Sequence, residues 1–286
     1  MALYEDRSKN ESLFHAALIY SGKINAGNNG NDYLKEKLIE YGSFRKIYEN
    51  FNGLISLEDS LKSVKGIENV AKSLENIDFE FNVLTVNDYD FPEQLRKEGI
   101  TPVIYTRGDL NLFKKKSIGV VGTRFIYPNK DRIAYEEAND LMKRLLEKDY
   151  VIVSGMAEGC DTIAHTYAVE NNGKTIGVLG TPLNICYPAS NRALQERVAK
   201  EHLLVSQYPI GIRAFRHYFA ERNLTTVSLS TDGIAVIRAS DNSGTMHAVK
   251  HCHEQNKPIY ALANNFNSKN KWIETYKGRI KKVDKR

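Results

Sequence analysis

Between Ser117 and Leu262 the chain repeats one event: an apolar strand enters a small, glycine- or serine-rich loop, and a helix follows. The repeats are SIGVVGTR (Ser117–Arg124), YVIVSGMAEGCDTIAH (Tyr150–His165), TIGVLGTPLNICYP (Thr175–Pro188) and GIAVIRASDNSGT (Gly233–Thr245). Short β-branched runs alternating with helical stretches call for a doubly wound, mainly parallel sheet with helices on both faces. In such a sheet the loops gather at the carboxyl ends of the strands. There, backbone N–H groups and helix N-termini can hold anions. Arg124 comes directly after the first Gly-Thr pair, so the first loop reads as a phosphate site.

The repeat places strands at Ile118–Val121, Tyr150–Val153, Ile176–Leu179, Leu203–Val205, Ile234–Ile237 and Ile259–Leu262. Helices are expected over 129–147, with Ile133, Leu141 and Leu145 on one face, and over 161–171, where Ala164 and Ala168 allow close packing. Others fall near 190–201, 222–230 and 243–255. Upstream, Phe81–Val86 and Pro102–Gly108 read as strands. Residues 10–78 carry a helical period instead: Leu13, Ala16, Ala17 and Tyr20 share a face. Tyr33, Lys37, Leu38 and Tyr41 continue it, and Gly42-Ser43 recaps the chain before Phe44, Ile47 and Phe51. The glycine- and asparagine-rich stretch Gly22–Asn31 reads as a flexible loop. Short helices are expected at Leu57–Val64 and Glu68–Leu74. LKSVKGIENVAKSL (Leu61–Leu74) approximates a helix-hairpin-helix, with Glu68 where a second glycine would stand; plain packing is the competing reading. The resulting division is a helical domain at 1–79, an α/β domain at 80–265 and a basic tail at 266–286.

Composition excludes several classes. The charge is +5, from 40 basic and 35 acidic residues, which permits nucleic-acid binding without demanding it. Much of the excess lies in the tail, where Lys269, Lys271, Lys277, Arg279, Lys281, Lys282, Lys285 and Arg286 face only Glu274 and Asp284. That tail reads as a solubilising terminus or as an auxiliary phosphate contact. No apolar run is long enough for a membrane span, and the charged N-terminus lacks a signal core, so a cytoplasmic location is expected. Cys160, Cys186 and Cys252 lie far apart, as reduced thiols would.

At this level the chain resembles the DNA-processing protein A (DprA/Smf) family of bacteria. The resemblance is carried by DYDFPEQL, PVIYTRGDL, VGTR (Val121–Arg124), VSGMAEGCDTIAH (Val153–His165), GKTIGVLGTPLNICYPASN (Gly173–Asn191), LLVSQYPIG (Leu203–Gly211), FAERN (Phe219–Asn223) and SGT (Ser243–Thr245). It implies a small all-α, SAM-like N-terminal domain joined to an extended Rossmann-like domain. It further implies a protein that binds single-stranded DNA without catalysing a reaction, forms a homodimer through roughly Gly244–Leu262, and loads RecA recombinase onto incoming strands. Carried over residue by residue, Arg124 closes the family's G-[ST]-R loop with Gly122 and Thr123. Gly155, Gly159 and Asp161 occupy its SGxAxGxD loop. Asn191 lies in YPxxN, and Arg222 and Asn223 lie in F-P-x-R-N. The chain departs from the family at Pro182 and Asn184, where a G-T-G-L-D loop is usual, and at Leu224 and Ser228, where a cation and a glycine are usual.

A single-strand binder needs a cationic groove and rings on which bases stack. Arg124, Lys174, Arg192, Arg213, Arg216 and Arg222 are the candidate cations, and Phe125, Tyr127, Tyr187, Phe215, Tyr218 and Phe219 the candidate rings. With Gly180, Thr181, Asn223, Ser243 and Gly244 they complete the expected interface; no cofactor or metal is expected. Ser154, Asp161 and His165 flank one loop and could be drawn as a hydrolytic set, or His165 could orient the loop. His247 and His251 stand four apart, with Cys252 and His253 adjacent, without a second zinc-type cluster. GxxxxGK[ST] and GxGxxG are absent. A Rossmann-like nucleotide-sensing module of a defence or signalling system is the alternative, because the same loop edge could seat a small nucleotide.

Overall fold

The expected change of period, from helical to βα, is what the chain builds. The computed structural model describes residues 6–22, 24, 31–51, 57–98, 100–126 and 131–284. Most of the Gly22–Asn31 loop and Tyr127 lie outside the described residues. The chain divides into two units, Met1–Arg107 with Leu179–Ile185 and Val205–Glu221, and Gly108–Val178 with Cys186–Leu204 and Arg222–Arg286.

In the first unit four helices precede an antiparallel strand pair: α1 (Arg7–Tyr20), α2 (Asn31–Tyr41), α3 (Phe44–Phe51) and α4 (Leu57–Glu75), then β1 (Asn82–Thr85), α5 (Glu93–Glu98) and β2 (Val103–Gly108). Asp6 caps α1 by accepting the Lys9 N–H at 3.1 Å. Glu11 reaches from α1 to accept the Phe44 N–H at the start of α3 (2.9 Å). His15 stacks 4.4 Å from Phe44 and bonds the Tyr105 hydroxyl at 2.8 Å. Such partners let polar groups enter a core otherwise made of Leu13, Leu18, Leu38, Phe44 and Ile47.

Three expectations here are corrected. The two short helices at 57–64 and 68–74 are one helix, α4, and the helix-hairpin-helix is therefore absent. Gly66 does not break it; a Cβ there would collide with the Tyr20 ring, so the glycine serves close packing of α1 on α4. Tyr33 is exposed rather than part of the apolar face, which is formed by Leu34 and Leu38. Lys37 instead lies 5.9 and 5.5 Å from the Tyr33 and Tyr41 ring centroids, a surface cation–π arrangement.

The second unit holds the wound sheet: β3 (Ser117–Val121), α6 (Arg132–Leu146), β4 (Val151–Ser154), α7 (Cys160–Glu170), β5 (Lys174–Leu179), α8 (Arg192–Glu201), β6 (Leu203–Ser206), α9 (Tyr218–Leu229, entering this unit at Arg222), β7 (Ile234–Val236), α10 (Thr245–Glu254), β8 (Ile259–Leu262), α11 (Trp272–Thr275) and β9 (Ile280–Val283). The strand order is β6-β5-β4-β3-β7-β8-β9, and the described pairings from β5 to β9 are all parallel. With β1 and β2 this makes an α/β protein whose nine described strands are mostly parallel.

One face packs Ile118, Val120, Ile152, Ala235 and Ile237 under α6 and α7. The other packs Ile234, Val236, Ile259 and Ala261 with Val227, Val249 and Trp272. The chain leaves β3 toward β4 and β5 on one side and reaches β7, β8 and β9 on the other. Helix α6, after β3, covers the first face; α10, after β7, covers the second. The carboxyl ends of β3 and β7 therefore flank a topological switch point, where such sheets open a crevice.

Two corrections apply here as well. Ile133 is 67% exposed, and the buried stripe of α6 is Ala134, Ala138, Leu141 and Leu145. The basic tail is not simply a solubilising terminus: Trp272 is buried and residues 280–283 pair with β8 as β9.

Candidate functional site

The loops at the switch point lock to one another through their backbones. Thr123 donates its N–H to the Arg238 carbonyl (2.8 Å), tying the end of β3 to the end of β7. The Thr123 carbonyl accepts the Cys160 N–H (3.1 Å), tying it also to the start of α7. Glycine makes both approaches possible. A Cβ on Gly122 would strike the Cys160 sulfur, and one on Gly159, at φ +75°, would enter the Thr123–Arg124 backbone at 2.5–2.7 Å. Phe125 donates its N–H to the Thr123 hydroxyl (3.2 Å). Much of the amide capacity expected to face an anion is thus used within the rim, and positive charge there comes chiefly from guanidinium groups.

Arg124 and Phe125 project from this locked loop. Both are exposed, Phe125 by 78%, and Arg124 makes no hydrogen bond or ion pair among the described residues. Arg238, at the end of β7, is a second rim cation that the sequence reading passed over. It pairs with Asp131 at the start of α6, across the switch point, and remains half exposed. The signal was present: Val121-Gly-Thr-Arg124 and Val236-Ile-Arg238 both deliver an arginine just past a core strand.

Arg222 lies differently. It is 5% exposed and donates to the Val178 carbonyl at 2.7 Å. Its guanidinium and the Asp161 carboxylate meet over Gly155, where any Cβ would collide with both. Burial pushes the Asp161 carboxyl up, while Arg222, the Ala157 N–H (3.3 Å) and Arg124 oppose the rise. His165 bonds the Gly155 carbonyl through Nε2 and the Thr175 hydroxyl through Nδ1 (2.7 Å). Burial lowers it to about 4, so it is neutral at pH 7. Ser154 donates to the Val120 carbonyl at 2.6 Å. Both His165 nitrogens are taken by Gly155 and Thr175, so Ser154 and His165 are not joined as a hydrolytic pair, and His165 orients the loop.

The remaining candidates separate. Asn191 is buried, its amide donating to the Met156 carbonyl and the Thr162 hydroxyl, both at 2.9 Å, so it staples the β4–α7 loop. Arg192 is exposed at the start of α8. Asn223 comes to Gly244 at the start of α10 (3.4 Å), next to Ser243, whose hydroxyl oxygen is buried. Lys174 does not join the rim. It opens β5, level with Val151 and hence Ser117, at the amino edge of the sheet.

Within the first unit, Gly180 approaches Phe219 so closely that a Cβ would lie 2.7 Å from the ring. The Thr181 hydroxyl donates to the Ile185 carbonyl (2.9 Å). Also in that unit, Arg213, Phe215, Arg216 and His217 are exposed together, with the Arg213 guanidinium 5.9 Å from the Phe215 centroid and Phe215 stacked 5.8 Å from His217. Tyr218 is buried and Tyr187 exposed. Among the described residues no three His, Cys, Asp or Glu side chains gather as a metal site, and no helix is long and apolar enough to cross a membrane.

A mostly parallel sheet with a locked, arginine-bearing loop at its switch point defines a Rossmann-like α/β protein. The family model for DNA recombination-mediator protein A matches residues 82–280, and the chain belongs to that family. It is 30% identical to DNA processing protein DprA of Streptococcus pneumoniae over 240 residues, 79% of this chain and 80% of that one. It is 34% identical to Protein Smf of Synechocystis over 186 residues, 63% of this chain and 46% of the relative, so it spans about half of that protein. The solved structure of the S. pneumoniae protein superposes with a TM-score of 0.69 at 25% identity, covering 94% of each chain. That of DNA processing protein A from Helicobacter pylori, described for its single-stranded DNA binding mode, gives 0.61 at 25% identity over 72% of this chain and 92% of that one.

Proposed function

We propose that this chain binds single-stranded DNA without catalysis, as a recombination mediator that protects incoming strands and loads RecA. The observation that carries the reading is Arg124: an exposed guanidinium on a loop whose backbone is fixed by the neighbouring loops. With the backbone already held, a phosphate contact has only the Arg124 side chain to order, and phosphate contacts supply most of the affinity in sequence-independent binding. Arg238 adds charge at the same rim, and Phe125 offers a face for a base. The Phe215–His217 patch of the first unit is of the same cation-and-ring kind. Family membership and the DNA-binding mode described for the H. pylori protein support the same substrate.

The test is a mobility shift with oligothymidylates of increasing length. Binding that strengthens with length and weakens with salt supports the proposal. Thermal stabilisation by mononucleotides or dinucleotides, with no response to long strands, would replace it with the nucleotide-sensing reading. Assembly as a homodimer through Gly244–Leu262 and delivery of RecA belong to the same proposal. Light scattering of the free chain and a RecA-filament assay on coated DNA examine them separately.

A further inference from the structure

A second place in the second unit has the makings of a binding site, and it lies away from the rim. Beneath the C-terminal half of α6 the sheet leaves a partly open cavity of about 190 Å³. Its apolar walls are Ile118, Leu141, Leu145, Ala235, Tyr260 and Val283. The helices after β7 and β8 pack on the opposite face of the sheet, and on this face α6 packs over β8 and β9. A dry engineered cavity of ~150 Å³ accepts benzene, so the space suits one ring.

The polar lining is cationic in its unfilled capacity. Arg144 lines the cavity and donates Nη1 to the Asp284 carbonyl (3.1 Å), while Nη2 pairs with Asp140 (3.0 Å). Its Nε is buried and has no hydrogen-bond partner among the described residues. A buried donor on a charged group left unsatisfied is costly, and an acceptor entering the cavity would relieve it. Lys148 stands at the same opening and makes no ion pair among the described residues. Lys281 lies 5.6 Å from the Tyr260 ring. Glu147 also lines the opening and disfavours an occupant with more than one negative charge. Tyr150 is already engaged, donating to Asp232 at 2.6 Å.

We propose that this cavity is a binding site for a small monocarboxylic acid with a single-ring or short aliphatic body, its ring on Tyr260 and Leu145 and its carboxylate on Arg144. This site is independent of the DNA reading: it uses none of the rim residues.

Isothermal titration of the full chain with benzoate, and with benzylamine as the size-matched cation, tests it. Benzoate binding with no response to benzylamine is expected. Arg144→Met keeps the stem and removes the guanidinium, and should weaken benzoate at least about tenfold, the loss expected for a charge-assisted hydrogen bond. Val283→Trp fills the cavity from the outermost strand and should abolish binding while the melting transition remains cooperative. No heat with benzoate up to about 10 mM, equal binding of benzylamine, or undiminished binding in Val283→Trp would each overturn the proposal. Should Arg144→Met fail to fold, Val283→Trp and the charge comparison decide it alone.

Discussion

Arg124, in the loop after β3, and Arg222, inside α9, were both expected to contact the ligand, and the fold uses them in opposite ways. Arg124 is exposed on a loop tied at Thr123 to the Arg238 carbonyl and the Cys160 N–H. Arg222 is 5% exposed, held by the Val178 carbonyl and the Asp161 carboxylate beneath Gly155. One guanidinium is available to a ligand; the other is a beam under the loop. Charge at a conserved-looking motif position therefore does not by itself mean contact.

The contrast predicts unequal effects on stability. Arg222→Ala should be the most damaging, lowering unfolding free energy by roughly 3–5 kcal/mol, because it strands the Asp161 carboxylate inside the protein. Acid should come next. Buried His165 and His15 titrate at about 4 and about 3, below the ordinary 6.5. The unfolded chain then takes up protons that the folded chain refuses, so stability falls as pH drops from 6.5 toward those values. Within that window each histidine costs about 1.4 kcal/mol per pH unit, readable in urea melts at stepped pH. Gly155→Ala should cost about 1–3 kcal/mol through overpacking against Arg222 and Asp161, seen as a lower melting temperature. Arg124→Ala should change stability by less than about 0.5 kcal/mol. If Arg124→Ala and Arg222→Ala destabilised equally, the division of roles would be broken.

A finer comparison sets the rim against the amino edge. Arg238→Ala should weaken single-strand binding measurably in fluorescence anisotropy. Lys174→Ala, at the far end of β5, should weaken it less. The reverse order would move the binding surface to the other edge of the sheet.

Much of the sheet was readable because β-branched runs such as Ile118–Val121 are buried on both faces and need no context. Their order also made the rim and Arg124 readable. What the sequence hid are properties of proximity. Leu57–Val64 and Glu68–Leu74 read as two helices until Tyr20 is seen packed against Gly66 between them. Ile133 fits an apolar period but sits at the first turn of α6, one residue off the buried stripe. Lys174 follows a glycine like a loop cation, yet it begins a strand and so faces the other edge. Burial of Arg222 depends on Asp161 arriving from another helix, and no spacing within one segment encodes that. Arg238 was legible, as a second strand ending in arginine, and was overlooked because its loop lacks the Gly-Thr pair.

The central claim is that Arg124 is a phosphate contact on a rigid rim. The direct measurement is the salt dependence of oligothymidylate binding, compared between the wild type and Arg124→Ala. Weaker binding by the variant is expected, with the slope of log affinity against log salt shallower by about 0.7 for one lost contact. Superimposable lines would contradict the claim and remove the phosphate from Arg124.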